Sequence, residues 1–114
     1  MTISARNWAW EAQQIREASG EWRPMKAGEK LTLLCLAEFE NAEEGFAYPS
    51  HQTIANWTCQ SIRTVQNHLG ALENLHLFSV EKRRSSRGRW LRNVYVLNVP
   101  ASYRETDPEW KRWN

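Results

Sequence analysis

Ser50-His51-Gln52-Thr53-Ile54-Ala55-Asn56-Trp57-Thr58-Cys59-Gln60-Ser61-Ile62-Arg63-Thr64-Val65-Gln66-Asn67-His68-Leu69 is the stretch that decides the fold. Ser50 and Ser61 are both good helix N-caps, because a serine hydroxyl can accept from an otherwise orphaned backbone N–H. The first cap opens a short helix over about residues 51–57, with Ile54 and Trp57 as its buried edge. Thr58-Cys59-Gln60 cannot easily continue it and reads as a turn. From 62 to 74, Val65, Leu69 and Leu72, with Ile62 before them, recur at three- and four-residue spacing, the stripe of a helix buried on one side. Ala55 is small enough to let the two helices cross closely, and Val65 follows ten residues later as an anchor for the second. Such turns usually place Gly where this chain has Cys59. A left-handed backbone there costs about 1 kcal/mol for a residue with a Cβ, unless the turn differs.

Working outward, the N-terminal side holds two more helices. Residues 7–19 carry Trp8, Ala12, Ile15 and Ala18 at helical spacing, with Asn7 to cap the start and Gly20 to end it. Residues 27–40 are apolar on most sides, as suits the central helix of a bundle. Phe46-Ala47-Tyr48 is a candidate short strand. Beyond Asn74 the period falls to two. Leu77, Phe78 and Val80 open one strand, and Val94, Val96 and Val99 mark a second, with Tyr95 and Leu97 on its other face. Arg83 to Arg89 lie at the hairpin tip. The tail from Pro100 reads as an extended or short helical appendage docked by Trp110 or Trp113. The expected organisation is an N-terminal helical extension over 1–25, a domain over 26–99 and a tail over 100–114. The fold class is mostly α with a small β-hairpin wing: a winged helix-turn-helix preceded by an extra N-terminal helix.

With Val65, Leu69 and Leu72 facing inward, the opposite face of the second helix carries Arg63, Asn67 and Gly70, flanked by Thr64, Gln66 and His68. No acidic residue occurs there before Glu73. A helix entering a DNA major groove must keep carboxylates from phosphates and needs forked donors for base edges. Arg63, Gln66 and Asn67 are the base-reading candidates. Ser61 and Thr64, near the helix N-terminus, suit phosphate. His68 on its flank, and Ser50 and Gln52 at the start of the first helix, complete this set. The hairpin adds Lys82, Arg83, Arg84, Arg87, Arg89 and Arg92, with only Glu81 beside them and Gly88 to permit a tight tip. Such side chains can follow the backbone or enter a minor groove. A polar helix face and a charged hairpin also arise from solvation alone.

The net charge of +2 conceals an asymmetry: residues 1–49 are net −3 and residues 50–99 net +5. The basic half is an electrostatic footprint for a polyanion. Two isolated cysteines make neither a disulfide framework nor a zinc site, so a reduced, cytoplasmic setting is expected. No signal peptide is read at residues 1–7, and no run of about 20 apolar residues suits a membrane. His51, His68 and His76 lack metal-ligand spacing, and Glu38, Glu40, Glu43 and Glu44 read as solvated charge. No Gly-rich phosphate loop is present, and Cys59 has no activating base beside it in sequence. No enzyme activity, cofactor, metal or small-molecule substrate is expected.

Glu29-Lys30-Leu31 through Leu36-Ala37, Tyr48-Pro49-Ser50, Thr53-Ile54-Ala55, Ser61-Ile62-Arg63-Thr64-Val65-Gln66, Leu69, Leu72-Glu73 and Asn93-Val94-Tyr95-Val96-Leu97 resemble the winged helix-turn-helix domains of phage and plasmid proteins. That group includes replication initiators, replisome organisers and prophage regulators. The resemblance covers about residues 26–99. The chain departs from the group at Cys59-Gln60-Ser61, where Gly-Leu-Ser is usual, and at Lys26, where a Ser or Thr cap is usual. The resemblance implies double-stranded DNA binding by the second helix and the wing. The length fits both a stand-alone repressor and the DNA-binding part of a longer replication protein. The alternative is a winged-helix protein-interaction module, which the seven Trp and the acidic N-terminal half would suit. A homodimer through the N-terminal helix or the tail is compatible with either.

Overall fold

A computed structural model describes residues 2–16, 19–84 and 91–110; the side chains of Arg16, Arg84 and Leu91 also fall outside the description. The elements in chain order are α1 (Ile3–Glu11), β1 (Gln14–Arg16), β2 (Trp22–Pro24), α2 (Ala27–Phe39), α3 (His51–Thr58), α4 (Ile62–Asn74), β3 (Phe78–Arg84), β4 (Leu91–Leu97) and α5 (Ala101–Arg104). β3 and β4 pair antiparallel, Phe78 opposite Leu97 through Arg84 opposite Leu91. On the other edge of β4, Ala47 exchanges both backbone hydrogen bonds with Tyr95, at 2.9 and 2.7 Å, so the segment at 46–48 adds one bridge rather than a strand. The mostly helical winged architecture expected from the sequence is present.

The N-terminal region differs from the expected helix over 7–19. Thr2, not Asn7, caps α1, its hydroxyl accepting from the Ala5 N–H at 3.3 Å. The helix ends at Glu11 because the Lys30 ammonium gathers its last carbonyls, donating to Ala9, Trp10 and Ala12. The chain then doubles back as an antiparallel β1–β2 hairpin, with Gly20 at φ 92 between the strands rather than at a helix end. Ile15 is buried all the same, since both periods put it inward. Trp8 is buried with it, whereas Trp22 stays 58 % exposed.

α2 is the central helix, packing on α1, α3 and α4. Leu33, Leu36 and Ala37 share one core with Ala5, Trp8, Ile54, Val65, Leu69, Leu72, Phe78 and Tyr95. The residues of the N-terminal extension therefore bury into the same core as the helix-turn-helix. Lys26 makes no side-chain cap on α2. Glu29 compensates, accepting from the Lys26 N–H at 2.8 Å and holding the Arg23 guanidinium at 2.9 and 2.6 Å, which ties β2 to the helix start.

A second polar lock closes both ends of the chain. Glu40, expected to be solvated, is instead fully buried at 0 % exposure. The Arg104 guanidinium donates to both its carboxylate oxygens at 2.8 Å, and Thr2 donates to it at 2.5 Å. Ser4 bridges onward, accepting from Arg104 at 2.8 Å and donating to Asp107 at 2.5 Å. Trp110 covers the guanidinium at 3.4 Å, so the tail docks through it; Trp113 lies outside the described residues.

Burial acts to raise the Glu29 and Asp107 carboxyls, but their hydrogen bonds and neighbouring positive charge outweigh it. Arg23, the Lys26 N–H and His68 hold Glu29 below 4.5, and Ser4, the Glu109 N–H and Arg104 hold Asp107 below 3.8. A carboxyl lowered by folding contributes stability that is complete above its unfolded value and lost as pH falls through its folded one. Stability should therefore be flat down to about pH 4.5 and fall steadily below it. A pH series of thermal melts checks this.

Candidate nucleic-acid interface

The two helices of the central motif start as their sequence dictates. The Ser50 hydroxyl accepts from the Thr53 N–H at 3.0 Å, and the Ser61 hydroxyl accepts from the Thr64 N–H at 3.1 Å. Between the helices, Cys59 adopts φ 56, ψ 42, the left-handed conformation. The turn thus keeps its geometry without glycine and carries the strain of a Cβ. Cys59→Gly should raise the unfolding free energy by about 1 kcal/mol, read by chemical denaturation.

Polar contacts hold this turn against α2. The Gln60 amide donates to Thr32 at 3.1 Å and to Thr58 at 2.8 Å. Gly28 makes room for it: a Cβ there would lie 2.5 Å from Gln60 Oε1 and 2.7 Å from His68 Nε2. His68, placed by the sequence on the flank of the second helix, is half-buried there and leans toward α2. A polar side chain at a helix flank gives no sign of which way it leans, so sequence reasoning had no signal for this.

The remaining helix candidates divide by what they already hold. Arg63, Gln66, Asn67 and Gly70 are exposed along one side of α4. Among the described residues, the side chains of Arg63 and Asn67 make no hydrogen bond or ion pair. Gln66 lies 3.3 Å from His51 Nδ1, which links α4 to the start of α3. Gln52 is engaged with Asn56 on its own helix at 2.8 Å. Ser61 donates to Thr64 Oγ1 at 2.9 Å, and Ser50 lies 2.9 Å from Thr53 Oγ1, so these hydroxyls serve the caps first.

The register of the wing sorts its basic side chains by face. Lys82 pairs with Asn93 on the same face as Val80 and Tyr95, toward α4. Arg83 and Arg92 are opposite each other on the other face. Arg83 stacks on Phe46 at 4.7 Å and pairs with Glu81 at 3.1 Å, while Arg92 lies 4.0 Å over Tyr48. The segment at 46–48 thus pins two arginines by cation–π contact. A cleft of about 330 Å³ lies between β4 and the start of α3, lined by Tyr48, Ser50, His51 and Arg92. Arg92 Nε is buried without a hydrogen-bond partner among the described residues. The Arg84 side chain and all of Arg87 and Arg89 lie outside the described residues.

Residues 24–77 match the family model of a helix-turn-helix domain. The match covers a little under half of the chain, and α3, the Cys59 turn and α4 have the helix-turn-helix fold. The match spans α2, α3 and α4 and stops before the wing, so it rests on the three helices that share the core. It supports DNA binding in general for this domain. Neither the curated proteins nor the solved structures contain a significant match to the chain. Among the described residues, no helix is long and apolar enough to cross a membrane, and no group of three His, Cys, Asp or Glu residues could hold a metal ion.

Proposed function

We propose that the chain binds double-stranded DNA sequence-specifically, with α4 in the major groove and the basic wing on the backbone or in the minor groove. The biological setting is replication initiation or transcription control of a phage- or plasmid-type element in the cytoplasm. The protein binds and does not catalyse, and it needs no cofactor. One observation carries this reading: α4 presents Arg63, Gln66, Asn67 and Gly70 outward with no carboxylate among them, beside a basic hairpin. Arg63 has the fork for guanine, and Gln66 and Asn67 have the amide pair for adenine. The Arg92 guanidinium, lining the cleft beside the start of α3, adds a charged donor for phosphate.

Selection from a random-site duplex pool tests the reading. Enrichment of a motif a few base pairs wide supports it, and a palindromic motif adds a dimer with half-sites about one helical turn apart. A pool that stays random after repeated rounds counts against it. Trp10 and Trp22, 59 % and 58 % exposed on α1 and β2, favour a second reading in which the N-terminal elements meet a protein partner or a second copy.

A further inference from the structure

Two glycines lie within helices of this domain, and only one is explained by the fold. Gly28 leaves the space that the Gln60 and His68 side chains occupy. Gly70 sits inside α4, nine residues into a thirteen-residue helix, where glycine is unfavourable relative to alanine. A Cβ at Gly70 would meet nothing within 4 Å. Its φ is not positive, unlike Gly20 and Gly45, so the backbone does not call for glycine either. Among the described residues, none gains from the missing side chain.

The surroundings of Gly70 indicate what does. A groove of about 400 Å³ runs between α4 and the wing, with Gln66 and Gly70 on one wall and Lys82 and Asn93 on the other. Lys82 puts a positive charge on the wing side, within the half of the chain that is net +5. Glu73, a helical turn beyond Gly70, is the one carboxylate in the lining among the described residues and repels phosphate from that end. We infer that Gly70 is the point of closest approach between α4 and DNA, with the sugar–phosphate backbone of one strand seated in this groove against the bare helix backbone and held by Lys82. The inference rests on the proposed DNA binding and adds its depth and limit: the strand meets α4 no further along than Gly70, and Glu73 lies beyond the contact.

The test separates folding from binding because the two move in opposite directions. Gly70→Ala favours the helix and should raise the melting temperature by about 4 °C. The same methyl group fills the contact, so affinity for a selected duplex should fall about tenfold by fluorescence anisotropy, a step of about 1.4 kcal/mol. Gly70→Leu should remain folded by circular dichroism and lose about a hundredfold. If both variants bind the duplex as the unaltered chain does, the close approach is wrong while DNA binding stands. If the unaltered chain fails to bind any duplex at low salt, the underlying reading falls and this inference falls with it.

Discussion

Arg104→Ala will destabilise the protein by about 3–5 kcal/mol, the scale seen when one member of a buried ion pair is removed. Glu40 is fully buried and Arg104 is 6 % exposed, so the truncation strands a carboxylate out of reach of bulk water. It also removes the donor to Ser4 and the cation against Trp110, leaving the Ser4–Asp107 and Tyr103–Glu11 hydrogen bonds to tie the tail to α1. Small domains are stable by only about 5–15 kcal/mol, so the variant should melt roughly 10–20 °C lower. Replacing both partners, Arg104→Met with Glu40→Leu, should recover most of the loss, because two apolar side chains leave no unpaired charge. An Arg104→Ala melting curve within about 2 °C of the unaltered chain would sink this account of the clasp.

Binding variants should split into two patterns. Arg63→Ala removes the forked donor proposed to read a base edge, so it should cost about 1–3 kcal/mol at its preferred base pair and relax the preference there. The variant with Arg84, Arg87 and Arg89 all changed to alanine removes positive charge from the hairpin. It should weaken binding to every sequence alike and reduce the slope of log affinity against log salt by about 2–3 units. The assignment of roles fails if Arg63→Ala weakens all sequences equally and leaves the selected motif unchanged. It also fails if the hairpin variant keeps the full salt slope.

The helix-turn-helix was legible because its signals are local. Ser50 and Ser61 cap where their chemistry dictates, and Val65, Leu69 and Leu72 repeat at helical spacing, so both helices fall where the pattern places them. The N-terminal region was not, because its boundaries are set by distant partners. Thr2 is held by Glu40, and α1 is closed by Lys30 from another helix. The apolar positions Trp8 and Ile15 suit a continuous helix as well as a helix followed by a strand. Glu40 was hidden for the same reason: its counter-ion is 64 positions away in a segment with no strong pattern. Within the candidate site, composition identified the basic wing, but only the strand register shows that Lys82 faces α4 while Arg83 and Arg92 lie on the other face. The lean of His68 toward α2 was not legible because it depends on Gly28, a contact between helices that helical spacing does not encode.

The central claim is that α4 and the wing form a surface for duplex DNA. It is tested most directly by fluorescence anisotropy of the unaltered chain with a labelled duplex at two salt concentrations, about 50 and 200 mM. The account predicts clear binding at the lower salt and at least about a tenfold loss at the higher, the mark of several displaced counterions. No measurable affinity for duplex DNA at the lower salt would contradict it.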